Sequence, residues 1–305
     1  MKTLFPIVIT LYNRPEHTKK LLDSLKKCLD SQKYKYYIFC DGPKNKNEKK
    51  KINQVRNLVK NFSKFFNVNF YFKKKNDGLV KNILNSIQFV MKNNDAAIVL
   101  EDDLILHKEF LFFLNNSLNK YFHNKKVLQI SGYSYPICKN KKKHYFLSLT
   151  SCWGWGITKR QWNHFFEFFK NKKLIKKHYL EILNSKNKKK SFNYYDSYNY
   201  LGMLKKSLDN DVNSWGVIFY LYLFLKKKIT YFPNKSLVIN NGFDGSGNHK
   251  SSNELFNDKF ANRALGRNPK KITNCNIARN EIINFFSSNL SFYGKIKNKI
   301  YAKLF

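Results

Sequence analysis

Between residues 4 and 105, short apolar runs alternate with longer stretches in which apolar residues recur every three or four positions. "LFPIVITLYN" (4–13) is rich in β-branched residues and reads as a strand. In "RPEHTKKLLDSLKKCL" the residues Leu21, Leu22, Leu25 and Leu29 keep helical spacing; Pro15 suits a first helical position and Glu16 the positive end of the helix dipole. "YKYYIFCDG" reads as a second strand that stops at the turn signal Asp41-Gly42-Pro43. A helix follows through Ile52, Val55, Leu58 and Val59, then a third strand, "NVNFYF". The next helix opens at Asp77-Gly78 and carries Leu79, Ile83, Ile87 and Val90 on one face, and "AAIVLEDD" is a fourth strand. Strands alternating with helices of about 10–15 residues predict an α/β domain with a mainly parallel, Rossmann-like sheet flanked by helices.

The order changes after residue 105. "KEFLFFLNNSLNKYF" is an amphipathic helix, "KVLQISGYSY" a strand, and a lysine-rich stretch from about 170 to 200 reads as helix plus loop. "NSWGVIFYLYLFLKKK" is a strongly apolar helix, "ITYFPNKSLVIN" is strand-like, and "NGFDGSGNHK" is a glycine-rich loop. From about residue 255 the chain turns polar and basic, and there is no internal repeat. The expected organisation is one large domain over 1–254, in two halves, 1–105 and 106–254, and a basic C-terminal extension over 255–305.

The chain has 305 residues, of which 43% are hydrophobic, enough for a substantial core. Lys and Arg number 57 against 20 Asp and Glu, a net charge of +37 that predicts attraction to anions. The lysine runs are scattered, which leaves two readings: a solvated basic surface, or a peripheral contact with an anionic membrane surface. Nucleic acid is not an expected partner, because no recognition motif appears and the basic residues are not interleaved with aromatics as a stacking platform needs. The five Cys show no CxxC spacing, so neither a disulfide framework nor a zinc site is indicated, and a reducing cytoplasm fits. No secretory signal pattern is visible, and the longest apolar run, 215–225, is far below the ~20 residues of a membrane span. The expectation is a cytoplasmic protein, with peripheral attachment to the cytoplasmic face of the inner membrane as an extension of that reading.

Against this basic background one stretch stands out. "AAIVLEDDLIL" (96–106) sets Glu101, Asp102 and Asp103 side by side at the end of an apolar run. Adjacent like charges cost stability unless a cation or donor offsets them. In open α/β sheets ligands bind outside the carboxyl ends of the strands, and Asn13-Arg14, Asp41 and Asp102-Asp103 all fall at such ends. Mg2+ or Mn2+ suits this place, being bound by one or two carboxylates plus substrate phosphates. The competing reading is an acidic cap on a following helix.

The segments "PIVITLYNRPEHTKKLLDSL", "FCDG", "VLEDDL", "SCWGWGITKRQW", "NSWGVIFYLYLFLKKKITYFP" and "KSLVINNGFDGSGNH" together resemble GT-A fold glycosyltransferases, specifically bacterial family 2-like sugar transferases and the related N-acetylglucosaminyltransferase I group. The resemblance covers most of residues 4–250. It implies the GT-A fold, a nucleotide-diphospho-sugar donor, UDP-linked by analogy with that group, and a glycan or glycolipid acceptor. It further implies hexosyl transfer with inversion, as in bacterial surface polysaccharide or lipooligosaccharide synthesis. By the motif match, Glu101-Asp102-Asp103 is the DXD-type motif: Asp103 would bind the metal, Asp102 would face the donor ribose or sugar, and Glu101 would order them. Thr10, Asn13 and Arg14 would lie at the nucleotide, Asp41 would accept from the base, and Asn82 falls where the group has a polar residue touching uracil. Plain alternatives are a surface charge for Arg14, a turn-former for Asp41 and a polar helix position for Asn82. Ser246 and His249 of the glycine-rich loop would contact the diphosphate or complete the metal shell, or the loop is only a surface loop. Trp153 and Trp155 would form a sugar-stacking wall or belong to the core. Asn213 and Ser214 stand where the group carries an acid; of Asp209 and Asp211 just upstream, Asp211 is the expected catalytic base, with Asp244 of the glycine-rich loop as its rival. A metal-dependent nucleotidyltransferase uses a similar sheet and acids and is the rival enzyme class; a basic nucleic-acid-binding protein is the rival outside enzymes.

Overall fold

The structure, a computed structural model, describes residues 3–137, 142–209, 214–244, 256–257, 260 and 265–301, with the side chains of the last helix up to residue 288. In chain order the elements are β1 (Ile7–Leu11), α1 (Pro15–Lys26), β2 (Lys35–Cys40), α2 (Lys49–Ser63), β3 (Asn67–Phe72), α3 (Leu79–Met91), β4 (Ala96–Glu101), β5 (Leu104–Leu106), α4 (Phe110–Tyr121), β6 (Val127–Ser131), β7 (Tyr145–Leu147), β8 (Trp155–Thr158), α5 (Lys159–Lys170), α6 (Lys172–Leu183), α7 (Lys186–Phe192), α8 (Tyr200–Leu208), α9 (Trp215–Leu225), β9 (Ile229–Phe232), β10 (Val238–Asn240) and α10 (Asn276–Tyr301).

The main sheet has eight strands in the order β3-β2-β1-β4-β8-β6-β9-β7. β3, β2, β1 and β4 are parallel to one another, β8 runs antiparallel to both β4 and β6, β9 is parallel to β6, and β7 is antiparallel to β9. The fold is thus the mainly parallel α/β sheet flanked by helices that the alternating pattern predicts. β1 is buried at every position, as a central parallel strand covered on both faces must be. α9 buries eight of its eleven residues, so its all-round apolar character reflects enclosure in the protein. No helix among the described residues is long and apolar enough to cross a membrane.

Several local expectations are corrected. Leu29 lies beyond α1 and is exposed: the helix closes at Lys26, where the carbonyls of Ser24 and Leu25 accept from Lys27 and Cys28. Leu79, the first residue of α3, is also exposed rather than on the buried face. The stretch 229–240 is two strands in two sheets, because β10 leaves the main sheet and pairs antiparallel with β5. The lysine-rich stretch holds two helices, α6 and α7. Of the two readings of Trp155 the core one holds, since it is fully buried against Trp162, Trp215 and Phe219. Within the region from 255 onward, Arg267 and Asn274 bridge to Lys143 and Phe146, and Ala278, Ile282 and Phe286 of α10 are buried against the body of the protein.

The attachment of that last segment uses a buried histidine. His144 Nδ1 accepts the Asn234 N–H at 3.0 Å, its ring packs against Phe113 and Tyr231, and its backbone N–H donates to the Arg267 carbonyl. Burial, with Lys120 nearby, pushes the imidazole pKa down to about 4. In the unfolded chain it would take up a proton near pH 6.5, so the folded state loses ground as pH falls below that value and the loss is complete below about pH 4. Urea unfolding is therefore expected to give a stability independent of His144 above about pH 6.5 and reduced by up to about 3 kcal/mol toward pH 4. His144→Asn, which keeps an acceptor for the Asn234 N–H, should flatten that part of the profile.

Candidate functional site

Three chain segments leave the sheet side by side at its carboxyl edge. The register pairs Thr10 with Glu101 and Leu11 with Cys40, so the residues following β1, β2 and β4 emerge together. Arg14 stands at the start of α1, and Asp102 and Asp103 form the turn between β4 and β5. Arg14 Nε donates to Asp102 Oδ2 at 3.2 Å, and its Nη2 donates to Asp102 Oδ1 and, at 3.1 Å, to Asp103 Oδ2. One planar guanidinium thus serves two successive carboxylates, a fork geometry that lysine could not reproduce. The Asp102 side chain is 7% exposed and that of Asp103 is 18%, so Asp103 is the more open of the pair.

The electrostatics follow from this packing. Burial, then the charges of Asp103 and Asp102, push the Glu101 carboxyl up to about 8, with Arg14 opposing. Burial also raises the Asp102 carboxyl, against the pull of Arg14. Burial disfavours the Arg14 charge too, but Asp102 and Asp103 more than restore it and hold the guanidinium protonated above its ordinary value. Because β5, not a helix, follows the acids, their reading as a helix cap is excluded.

The other wall of the site comes from the end of β10. Asn241 N–H donates to the Asp103 carbonyl at 2.7 Å, and the Gly242 N–H donates to Asn240 Oδ1 at 2.7 Å. A Cβ on Gly242 would lie 2.5 Å from Asp103 Oδ2, so a larger residue here would have to push the carboxylate aside. His17, one turn into α1, places Nε2 3.1 Å from the Asn241 carbonyl and 3.2 Å from Asp244 Oδ2. Trp153 is half-buried nearby, in edge contact with Tyr133, Phe243 and Phe256.

The remaining candidates fall into distinct places. The buried Asp41 carboxylate accepts N–H groups from Gly42 at 2.9 Å, from Asp77 at 3.0 Å and from Gly78 at 3.0 Å, which fastens the loop before α3 to the end of β2. Thr10 Oγ1 donates to the Leu100 carbonyl and ties β1 to β4. Asn13 Nδ2 donates to Glu48 Oε1 at 3.1 Å, and the Tyr12 hydroxyl donates to the other oxygen of Glu48. Asn82 is buried and its Oδ1 has no hydrogen-bond partner among the described residues. Asp211, Ser246 and His249 lie outside the described residues.

As to a divalent cation, no three His, Cys, Asp or Glu side chains converge into a complete metal cage among the described residues. The donor set that is present, a hard carboxylate pair at a turn, fits instead the mode in which one or two carboxylates hold the ion and substrate phosphates complete its shell. Asp103, the more open aspartate, would be the residue to hold it.

Three participants escape the strand-end reading: His17, Glu48 and Gly242. Each leaves only a faint sequence signal. Glu48 is the only acid in "KNKNEKK", His17 follows Arg14 by three positions, and Gly242 opens the glycine-rich stretch. No family model matches the chain, and no curated protein sequence matches it. Among solved structures, a mannosyltransferase from Pyrobaculum calidifontis in complex with GDP-Man and Mn2+ is similar at 10% identity, over 52% of this chain and 46% of its own, with a TM-score of 0.35. The chain thus spans less than half the length of that enzyme.

Removing the Asp41 carboxylate would strand the Gly42, Asp77 and Gly78 N–H groups. Asp41→Ala is expected to lower the urea-unfolding free energy by about 1–3 kcal/mol, with Asp41→Asn costing less because one amide oxygen remains as acceptor.

Proposed function

We propose that the protein is a metal-dependent glycosyltransferase of the GT-A fold that moves a hexosyl group from a nucleotide-diphosphate sugar, UDP-linked, to a hydroxyl of a glycan or glycolipid acceptor, with inversion. The observation that carries this reading is the Arg14–Asp102–Asp103 arrangement at the carboxyl edge of the parallel strands, closed over by Gly242. The ordered resemblance of the surrounding segments to bacterial family 2-like transferases supports it. On this reading the acceptor belongs to bacterial surface polysaccharide or lipooligosaccharide synthesis.

Each side chain has a defined task in the proposed reaction. Mn2+ or Mg2+ bound at Asp103 would neutralise charge on the departing nucleoside diphosphate. Arg14 supplies a fixed positive charge beside the same phosphates, and its hold on Asp102 keeps the turn in shape before the donor arrives. Asp41 shapes the loop before α3, and Asn82 offers its unpartnered Oδ1 as an acceptor toward a base N–H. Asp211 would take the proton from the acceptor hydroxyl, with Asp244, within reach of His17, as the rival for that task. Ser246 and His249 are proposed to meet the diphosphate or complete the metal shell.

Calorimetric titration with UDP, GDP and CDP, in Mn2+ and then in EDTA, tests the reading. Binding of one nucleotide that disappears in EDTA is expected, and folded protein that binds none of them would overturn it. Asp103→Asn should weaken the metal-dependent binding by more than about 100-fold with little change in the thermal midpoint. Product analysis that shows a transferred sugar and a released nucleoside diphosphate separates sugar transfer from nucleotidyl transfer.

A further inference from the structure

The most one-sided charge distribution in the protein lies far along the chain from the acidic turn, on α6 and α7. From residue 170 to residue 190 there are nine lysines and one acid, Glu181. α6 buries only Ile175 and Ile182, and α7 only Phe192. The two helices pack on each other, and α6 also packs on α5 and α8, so they form an outer layer held by a few apolar anchors. On α6 the exposed residues Lys173, Lys176, Lys177, Leu180 and Asn184 fall at successive intervals of three, one, three and four, which puts them on one face of the helix. Leu180 is 44% exposed and Leu183, one turn on, is 40% exposed. On α7 Lys186, Lys188, Lys189 and Lys190 are all exposed. The acids nearby are already engaged: Glu181 with His178 and Glu167 with Lys170.

This is an unneutralised basic surface with two bare leucines in it. Self-repulsion of such a set works against the fold and calls for an extended anionic partner. A single phosphate would meet only a fraction of lysines spread over two helices. A nucleic acid would match the charge, but the exposed apolar groups among the lysines of α6 are Leu180 and Leu183, whereas Tyr179 is partly buried against the core, and bases do not stack on Leu. A bilayer with anionic headgroups matches both features: lysines reach the phosphates while Leu180 and Leu183 enter the acyl boundary. We propose that the α6–α7 face docks the protein on an anionic phospholipid membrane.

The test is flotation of the full chain with vesicles of phosphatidylcholine alone and of phosphatidylcholine with about one-third phosphatidylglycerol, at low and at high salt. The wild type is expected to float only with the anionic vesicles, and less so at high salt. Lys173→Gln/Lys176→Gln/Lys177→Gln should reduce the bound fraction at least tenfold. Lys50→Gln/Lys51→Gln/Lys60→Gln, which removes the same charge from the exposed side of α2, should change it less than twofold. Leu180→Gln/Leu183→Gln, at unchanged charge, should weaken binding severalfold. Circular dichroism checks that each variant is folded, and the two lysine triples, being surface changes of equal charge, keep the comparison sound. Equal losses from the two triples would overturn the assignment in favour of a diffuse basic surface. So would tighter binding to a single-stranded RNA oligonucleotide than to anionic vesicles, with the α6 triple abolishing that binding, and so would absence of binding to anionic vesicles.

Discussion

The ion pair from Arg14 to Asp102 and Asp103 is the contact on which the carboxyl edge of the sheet depends. Three carboxylates on successive residues, with Glu101 and Asp102 withdrawn from water, would repel one another and drive protonation if nothing opposed them. The guanidinium reaches them across 88 positions of sequence and makes the acidic turn compatible with a closed core. Its location sharpens the point. Arg14 precedes the first turn of α1 and its side chain caps nothing, and a cation is disfavoured at the positive end of a helix. The helix gives it no reason to be there. The aspartates do.

Much of this was legible in the sequence because the relevant patterns are local. β-branched runs ending in polar residues marked β1, β2 and β4, and helical spacing marked α1, α2 and α3, with errors confined to ends such as Leu29 and Leu79. The position of Arg14, Asp41 and Asp102-Asp103 on one sheet edge also followed, since parallel strands present their carboxyl ends together. What could not be read was set by pairing across the chain. The departure of β10 from the main sheet depends on β5, more than a hundred residues earlier, and nothing within "ITYFPNKSLVIN" announces it. His17 and Glu48 join the site through contacts with residues 241 and 244 and with residues 12 and 13, and neither has a distinctive neighbourhood. Trp155 and Trp153 look equivalent in "SCWGWG", yet Trp155 opens β8 and is enclosed by α5 and α9, while Trp153 lies before the strand, across Gly154 with its φ of +61°, and stays half-buried.

Charge is divided in a consistent way. The acidic turn is largely withdrawn from water, paired with Arg14 and approached closely by the Gly242 backbone, whereas the lysines of α6 and α7 are exposed and largely unpaired. The first arrangement creates a small region of strong, oriented field inside low-dielectric surroundings. The second spreads a weak field over a broad face. A net charge of +37 therefore describes neither part of the molecule well; the sum conceals an acidic turn and a basic face.

The antiparallel pairing of β5 with β10 has a consequence for biosynthesis. Synthesis proceeds from the N-terminus, so β1 to β4 are available long before Asn240, Asn241 and Gly242 exist. The strand after the acidic turn then waits, with open hydrogen-bonding groups, for a partner more than a hundred residues away, and contacts of that sequence separation form slowly. The wall beside Asp103 is thus supplied more than a hundred residues after the acidic turn it completes. A chain stalled or truncated before residue 238 would carry the carboxylates and Arg14 but no completed cleft, and its unpaired β5 edge would be a natural recognition mark for a chaperone.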